Sequence, residues 1–311
     1  MDKTEVLADR FAGTLVGSAI GDVVGAALEG SSPGLCSIPI VPGRYTDDTD
    51  MMMGVAESLL ECGGFDADHM ALVLMRRYFE EPWRGYGSGS PRIFEAMRMG
   101  RDREIAAREI YPGGSYGNGG AMRVAPVALV YRGSKQECFQ TAARSAKITH
   151  THPLGVDAAV LQASAVTAAL DAKSVAPVDR FLKNLTLPVI SPIYRDKISC
   201  VASLLRGGCE RADVVRELGN GVEGFRSVPT AVYCFLANHG SFEKAILYAL
   251  SLGGDTDTIA AMTGAMAGAY HGLSGISPRW LQVLQEERRG TGYLVTLSAR
   301  LVGLAEKLAT G

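Results

Sequence analysis

Acidic and hydroxyl side chains are concentrated at two points of the chain, each directly before an apolar helical pattern. One is the run Thr46–Asp50 (TDDTD), and the other is Gly253–Thr258 (GGDTDT). Helix capping accounts for one or two of the acids, because a side-chain oxygen at the N-cap accepts from a free backbone N–H group. Three carboxylates within four positions repel one another unless a cation lies among them. Carboxylate and hydroxyl oxygens suit Mg²⁺ or Mn²⁺, so we expect a divalent metal site at these turns.

A glycine-rich segment, Gly113–Gly120 (GGSYGNGG), precedes a further apolar run. Successive N–H groups in such a turn can bind an anion, especially where the turn leads into a helix N-terminus. The segment lacks the Gly-Lys-Ser/Thr of a P-loop and fails the dinucleotide fingerprint at Met122. The alternative is a mobile loop without a ligand. Tyr116 and Asn118 within it favour a ligand-binding loop, and Gly85–Gly89 is a weaker segment of the same kind.

Three further side chains are candidates for chemistry. His150 and His152 are two residues apart in Thr149–Pro153 and could ligate a metal, or could simply end a helix. Because hard oxygen ligands dominate elsewhere, contact between His150 and a ligand is the favoured interpretation. Glu29 follows a glycine-rich helix and, taken alone, is an ordinary glutamate at a helix end.

The segments that must position these residues are predominantly helical. Apolar residues recur at i, i+3, i+4 and i+7, whereas alternating runs typical of strands are rare. The clearest helical runs are 51–60, 67–79, 121–132, 155–170, 226–237, 243–252, 257–271 and 279–286. Because no linker or charged block interrupts the chain, we predict a single all-α domain over 1–311.

Two of the expected helices carry glycine at every fourth position. These are Gly13, Gly17, Gly21 and Gly25 in the first helix, and Gly264 and Gly268 in a later one. A glycine within a helix costs about 1 kcal/mol relative to alanine. Close approach of two helix backbones is the usual compensation, so we expect these two helices to be central and tightly packed.

Composition restricts the class of protein. The 311 residues are 47% hydrophobic and carry a formal net charge of −2. Such a charge creates no strong positive potential that would attract nucleic acid or an anionic membrane. The six cysteines form no C-x-x-C pair, so we expect reduced thiols and a cytoplasmic location. The apolar run 11–28 is long enough to span a membrane, but Asp22 within it argues against insertion. We expect a monomer.

Taken in order, these motifs resemble the ADP-ribosylglycohydrolase family, which includes the dinitrogenase-reductase-activating glycohydrolase. The matching segments are Gly21-Asp22, Tyr45–Thr49, Gly114–Arg123, Thr149-His150 and Ser251–Thr258. The stretches 217–221 and 227–236 look like the ADP-ribosylhydrolase 3 branch in particular. The resemblance extends from about residue 10 to about residue 272, and the combination of motifs is far more specific than any one of them.

The resemblance implies a compact all-α fold, here a single orthogonal multi-helix domain, and a binuclear Mg²⁺ centre with two ions per chain. The matching metal ligands would be Thr46, Asp47, Asp48, Asp255, Asp257 and Thr258. Asp257 would bridge the ions, and Glu29 would act in catalysis from a loop, residues 30–42, that closes over them. ADP-ribose would be bound by Gly87, Ser88, Gly89, Gly114, Ser115, Tyr116, Asn118 and His150.

The implied activity is Mg²⁺-dependent cleavage at the anomeric carbon of ADP-ribose. The substrates would be serine-linked ADP-ribose on proteins, poly(ADP-ribose) or O-acetyl-ADP-ribose. An ADP-ribosylarginine hydrolase is the nearest alternative, and Glu29 and the 217–236 match argue against it. An inactive ADP-ribose-binding relative is disfavoured because all six ligand positions are present. A metal-dependent phosphatase would favour histidine ligands, which only His150 and His152 could supply.

Two segments depart from the family pattern. The branch carries an adenine-stacking aromatic shortly before the glycine loop, where this chain has Ile110 followed by Tyr111. Stacking is therefore either absent or shifted by one residue. Residues 171–213 are shorter and differ in sequence, so no contact at the substrate rim is carried over there.

Overall fold

A computed structural model describes residues 2–34, 40–172, 175, 178–186, 189–285 and 287–310. Within those ranges every extended regular element is a helix, which confirms the all-α prediction. The α-helices are α1 Lys3–Ala26, α2 Asp47–Cys62, α3 Ala67–Glu80, α4 Gly89–Arg98, α5 Arg103–Ile110, α6 Gly119–Met122, α7 Ala125–Val130, α8 Lys135–Ala146, α9 Pro153–Asp171, α10 Val178–Thr186, α11 Pro192–Gly207, α12 Arg211–Leu218, α13 Gly224–Ala237, α14 Phe242–Leu250, α15 Thr256–His271, α16 Pro278–Leu281 and α17 Thr291–Thr310.

Two predicted helices are broken in the structure. The run 121–132 was wrong as one helix, because α6 ends at Met122 and α7 begins at Ala125. Pro126 lies in the first turn of α7, where its missing N–H is tolerated, whereas in a continuous helix it would clash with the carbonyl four residues earlier. The run 279–286 is likewise divided between α16 and a 3₁₀ turn, Gln282–Leu284. Residue 286 lies outside the described ranges.

The two glycine-rich helices, α1 and α15, pack against each other along their length, as predicted. A Cβ atom added at Gly21 would lie 2.1 Å from the carbonyl oxygen of Ala260, and one at Gly268 would lie 1.8 Å from that of Gly13. Only glycine permits this approach. The helices run antiparallel, so the end of α1 at Gly25 lies against Asp257 at the start of α15. This pairing brings Glu29 and Asp22 to the second acidic turn.

One helix within the described ranges, Pro153–Asp171, is long and apolar enough to cross a membrane. In the structure, 78% of its apolar window is buried inside the protein, in the manner of a core helix. The earlier candidate run, 11–28, contributes Phe11, Leu15 and Ile20 to the hydrophobic core. Both segments therefore contribute to the buried core of this fold.

Candidate active site

The two acidic turns meet at the N-terminal ends of α2 and α15. Thr258 Oγ1 donates to Asp48 Oδ2 at 3.3 Å, although the two residues are 210 positions apart in the chain. Thr46 is the N-cap of α2, and its hydroxyl oxygen accepts from the backbone N–H of Asp48 at 3.3 Å. Asp47, Asp48 and Asp50 thus lie in the first turn of α2, which begins four residues before the predicted run. The same turn therefore caps α2 and carries the candidate metal ligands.

Asp22 of α1 holds the first acidic turn in place. Its carboxylate accepts from the backbone N–H groups of Thr46 and Thr49, each at 3.0 Å, and from the Thr49 hydroxyl at 2.6 Å. Asp22 is fully buried. In the sequence, Asp22 was noted as part of a motif and as an argument against membrane insertion, and it was not expected in the site. Its signal in the sequence was that it is the one charged residue in the apolar segment 11–26.

The clustered carboxylates shift one another's proton affinities. Burial, followed by the charge of Asp257, raises the pKa of Asp255 to about 8. Burial raises the pKa of Asp22 to about 7 despite the hydrogen bonds from Thr49 and Thr46. The pKa values of Asp47 and Asp48 are raised well above the usual range by burial and then by the charge of Asp22. Such a cluster is unfavourable in its ionised form unless a cation offsets the repulsion.

The donor set fits a hard divalent cation. Asp48 Oδ1 and Asp257 Oδ1 are buried and accept no hydrogen bond from any described residue. An orphaned buried carboxylate oxygen is costly unless it binds an ion or a water molecule. Carboxylates with neighbouring threonine hydroxyls are the ligand chemistry of Mg²⁺ and Mn²⁺. The structure therefore provides an acidic cluster suited to a metal.

Glu29 reaches the same cluster from the loop after α1. Carboxylate oxygens of Glu29, Asp255 and Asp257 lie within 4.8 Å of one another. The charge of Asp257, followed by partial burial, raises the pKa of Glu29. Glu29 is exposed to solvent, whereas the two aspartates are buried. A solvent-accessible carboxyl group therefore lies over a buried acidic pair.

Backbone hydrogen bonds join the Glu29 loop to the second acidic turn. Gly30 N–H donates to the Gly254 carbonyl at 2.8 Å, and Gly254 N–H donates to the Ser31 carbonyl at 3.0 Å. Gly253 and Gly254 have φ values of +65° and +74°, which glycine adopts without strain. Residues 35–39 of the expected mobile loop lie outside the described ranges, so its closure stays a prediction.

A cleft of about 280 Å³ opens above the acidic cluster. Most of the expected ligand-binding residues line it, namely Gly87, Ser88, Gly89, Ser115, Asn118 and His150. Gly114 does not, because it faces Thr151 and His152 on the other side of the glycine loop. Tyr116 is 48% exposed and packs edge-to-face on His152, outside the lining. Of the expected metal ligands, five line the cleft and Thr46 does not.

Asn118 has a second role that the sequence did not reveal. Its amide nitrogen donates to Asp255 Oδ2 at 2.5 Å and to Ser227 Oγ at 3.1 Å. The glycine loop therefore fixes the orientation of a carboxylate in the acidic cluster. This contact connects the expected anion-binding loop to the expected metal site through one side chain.

The aromatic group near the glycine loop is Tyr111. Tyr111 lines the cleft, whereas Ile110 packs against a small separate cluster that contains Ile93. A Cβ atom at Gly89 would lie 2.5 Å from Tyr111 Cε2, so the ring closes directly over that glycine. The structure thus places an aromatic ring one residue after the expected position.

Asp50, the last acid of the first turn, does not point into the cluster. One carboxylate oxygen accepts from Arg77 at 2.7 Å, and the other accepts from the Tyr86 hydroxyl at 2.8 Å. Arg77 is 2% exposed and also pairs with Glu57 at 2.9 Å. The three carboxylates of the turn are therefore divided between a buried ion pair and the candidate metal site. No local pattern in the sequence distinguishes them.

The fold and the site together define a class: an all-helical protein with an acidic, metal-suited centre beneath a glycine-lined cleft. A model of the ADP-ribosylglycohydrolase family matches residues 3–310, and the chain belongs to this family. The protein is accordingly an enzyme, an ADP-ribosylhydrolase of the glycosidase type.

Individual relatives agree with this assignment. The chain is 38% identical to ADP-ribosylhydrolase ARH3 of Mus musculus, over 88% of this chain and 86% of that protein. It is 29% identical to ADP-ribosylarginine hydrolase Tri1 of Pseudomonas putida, over 88% of this chain and 74% of that protein. A solved ADP-ribosylglycohydrolase-related protein complex superposes with a TM-score of 0.76 at 28% identity, covering 97% of this chain and 99% of the other.

Proposed function

We propose that this protein is a Mg²⁺-dependent hydrolase that releases ADP-ribose from serine-linked ADP-ribose, poly(ADP-ribose) or O-acetyl-ADP-ribose. The observation that carries the proposal is the convergence of carboxylate oxygens of Glu29, Asp255 and Asp257, which line the cleft and lie within 4.8 Å of one another. Hydrolysis at an anomeric carbon requires a group that moves a proton and an environment that stabilises positive charge on the sugar. An exposed carboxyl beside a buried acidic cluster supplies both.

The proposed metal ligands are Thr46, Asp47, Asp48, Asp255, Asp257 and Thr258. When bound, Mg²⁺ would polarise ribose hydroxyls and water at this position, with Mn²⁺ as the alternative ion. We propose that each chain would hold two ions, with Asp257 among their ligands. Two observations support a metal site here. Asp48 Oδ1 and Asp257 Oδ1 are buried without a hydrogen-bond partner among the described residues, and Asp48 is hydrogen-bonded to Thr258 of the other acidic turn.

Each group on the protein has a defined task in this reaction. Water adds to the anomeric carbon as the bond to the acceptor oxygen breaks, and one proton passes to that oxygen. Glu29 is positioned to donate this proton or to take one from the water. The N–H groups of the loop that contains Gly117 and Gly119 would bind the pyrophosphate, away from the reacting bond. Tyr111 would stack on adenine. It would thus perform the stacking role that was expected one residue earlier, at the position of Ile110.

The arginine-linked alternative rests on the similarity to Tri1. The identity to mouse ARH3 is greater, 38% against 29%, and it extends over a larger share of the relative. We therefore propose the serine-linked or oxygen-linked class. We further propose a monomer that works in the cytoplasm, a setting compatible with the free thiols of Cys62, Cys138, Cys200, Cys209 and Cys234. Cys36 lies outside the described residues.

One assay tests the proposal and its rivals together. Serine-linked, arginine-linked and polymeric ADP-ribose and O-acetyl-ADP-ribose are incubated with the protein in Mg²⁺ and in EDTA, and free ADP-ribose is measured. We expect release from an oxygen-linked substrate in Mg²⁺ only. Release solely from the arginine-linked substrate would establish the rival specificity. ADP-ribose binding without release from any substrate would indicate an inactive relative.

Variants at Glu29 and Asp257 assign the tasks. Glu29→Gln should lose turnover while keeping ADP-ribose affinity, because the change removes proton transfer and keeps the shape. Asp257→Ala should abolish release without unfolding the protein. Full activity of Glu29→Gln on the serine-linked substrate would remove Glu29 from the mechanism.

A further inference from the structure

Arg123 is a buried guanidinium that forms no salt bridge within the described residues, and the largest acidic influence on its pKa, which burial lowers, is the charge of Asp47. Its side chain is 0% exposed. It donates to the Thr149 hydroxyl at 2.8 Å and to the Ser145 carbonyl at 3.2 Å, while its Nε finds no acceptor. A buried charge held mainly by neutral oxygens is costly.

Thr149 connects Arg123 to the imidazole of His150. The Thr149 hydroxyl oxygen lies 2.7 Å from His150 Nδ1. Because a guanidinium can only donate, Thr149 receives a hydrogen bond from Arg123 and keeps its own proton available. Within the described residues, His150 Nδ1 is the one further partner recorded for that hydroxyl. The arrangement therefore favours donation from Thr149 to Nδ1, which places the ring proton on Nε2.

Glycines hold the imidazole in this orientation. A Cβ atom at Gly119 would lie 2.7 Å from His150 Cε1, and one at Gly117 would lie 3.3 Å from Nε2. A Cβ atom at Gly155 would lie 3.3 Å from His150 Cβ. His150 lines the cleft, and within the described part of the chain Nε2 has no hydrogen bond to protein. Nε2 is thus the ring nitrogen left for a ligand.

We propose that Arg123 and Thr149 are positioning residues that hold His150 as the neutral Nε2–H tautomer, so that it donates a hydrogen bond to an anionic oxygen in the cleft. The proposal rests on the proposed function in one respect, namely that the ligand carries phosphate oxygens. Burial, followed by the charge of Arg123, lowers the pKa of His150 to about 3, which agrees with a neutral ring. A neutral donor of fixed direction retains its hydrogen bond to phosphate without changing charge near neutral pH.

The tautomer can be read directly in the protein without ligand. Long-range ¹H–¹⁵N correlation spectra of ¹⁵N-histidine-labelled protein, with His150 assigned from the His150→Gln spectrum, distinguish protonated from bare ring nitrogens. We expect Nε2 protonated and Nδ1 bare at pH 7. A protonated Nδ1 would overturn the proposal. That result would not bear on whether the protein hydrolyses ADP-ribosylated substrates.

Variants then test the connection through Thr149. Thr149→Val removes the hydroxyl at nearly constant volume, and should populate the Nδ1–H tautomer and weaken ADP-ribose binding about tenfold by calorimetry. Thr149→Ser should restore both, and Thr167→Val, which removes another buried threonine hydroxyl in α9, should change neither. Unchanged tautomer and affinity in Thr149→Val would refute the proposal. If Thr149→Val does not fold, the wild-type spectrum decides. A wild-type protein that does not bind ADP-ribose would instead refute the proposed function.

Discussion

The carboxylate of Asp22 and the hydroxyl of Thr49 are 2.6 Å apart, although 27 positions separate them in the chain. Through this bond and those to the backbone of Thr46 and Thr49, the first helix dictates the position of the first acidic turn. Asp22 therefore holds the proposed metal ligands in position without being proposed as a ligand itself. Residues in such supporting positions often affect metal affinity as much as a ligand does.

We expect Asp22→Asn to weaken Mg²⁺ binding by about 10–100-fold. The amide nitrogen would face the N–H donors that the carboxylate now accepts from, so the turn would shift. Calorimetric titration with Mg²⁺ measures the effect. Asp9→Asn is a matched control on the same helix, because Asp9 accepts from Ser274 at 2.9 Å, far from the cluster along α1. Equal Mg²⁺ affinity in the two variants would contradict the supporting role.

Metal removal should lower thermal stability. Mg²⁺ at about 100 times its dissociation constant should add about 2.7 kcal/mol, because it binds the folded state. For a chain of this size that corresponds to a rise in Tm of several degrees. Scanning calorimetry in Mg²⁺ and in EDTA measures it. Asp257→Asn should abolish the difference, and an identical Tm for the wild-type protein in both buffers would argue against a metal site.

The α1–α15 contact predicts opposite outcomes for two helical glycines. Gly268→Ala should destabilise the protein by about 1–3 kcal/mol or more, because the added methyl group overlaps the Gly13 carbonyl. Gly303→Ala in α17 meets nothing within 4 Å and should be neutral or stabilising by up to about 1 kcal/mol. Urea unfolding compares them. A loss of stability in Gly303→Ala equal to that in Gly268→Ala would mean that close packing is not the cause.

His150 should make stability depend on pH. Its folded pKa of about 3 lies below the reference value of 6.5, so the unfolded chain binds the proton more readily between these values. Stability should therefore fall as pH drops below about 6.5, by about 1.4 kcal/mol per pH unit for this group. Above that pH the group contributes no slope. In urea unfolding between pH 7.5 and 5, His150→Gln should lose this component, whereas parallel curves would show that His150 titrates normally.

Tyr111 should govern affinity for the adenine end of the ligand. Tyr111→Ala should weaken ADP-ribose binding by about tenfold or more, since stacking on a base contributes about 1–3 kcal/mol. Tyr111→Phe keeps the ring and should bind like the wild type. Calorimetry with ADP-ribose and with ribose 5-phosphate separates the contributions, because only the former has adenine. A similar loss with both ligands would locate the effect elsewhere.

Local patterns in the sequence were sufficient for the helices and for the order of the motifs. Helical periodicity depends on residues within two turns of one another, and so does the placement of acids at the N-terminal ends of α2 and α15. The glycine spacing was equally informative about helix packing. Close contact between helix backbones is the usual compensation for the free-energy cost of glycine within a helix. The same local reasoning failed at 121–132, where the chain forms two short helices and Pro126 lies in the first turn of the second.

The tertiary structure decided which of these side chains act together. In the run Thr46–Asp50 the acids look equivalent, yet Asp50 is neutralised by Arg77 whereas Asp48 meets Thr258. Asn118 was expected to bind substrate, and its amide also holds Asp255. These choices depend on partners 27 to 210 positions away. The sequence alone therefore determined the chemistry that the chain can offer. The antiparallel packing of α1 on α15 determined where that chemistry is assembled, because only folding brings carboxylates from distant segments together.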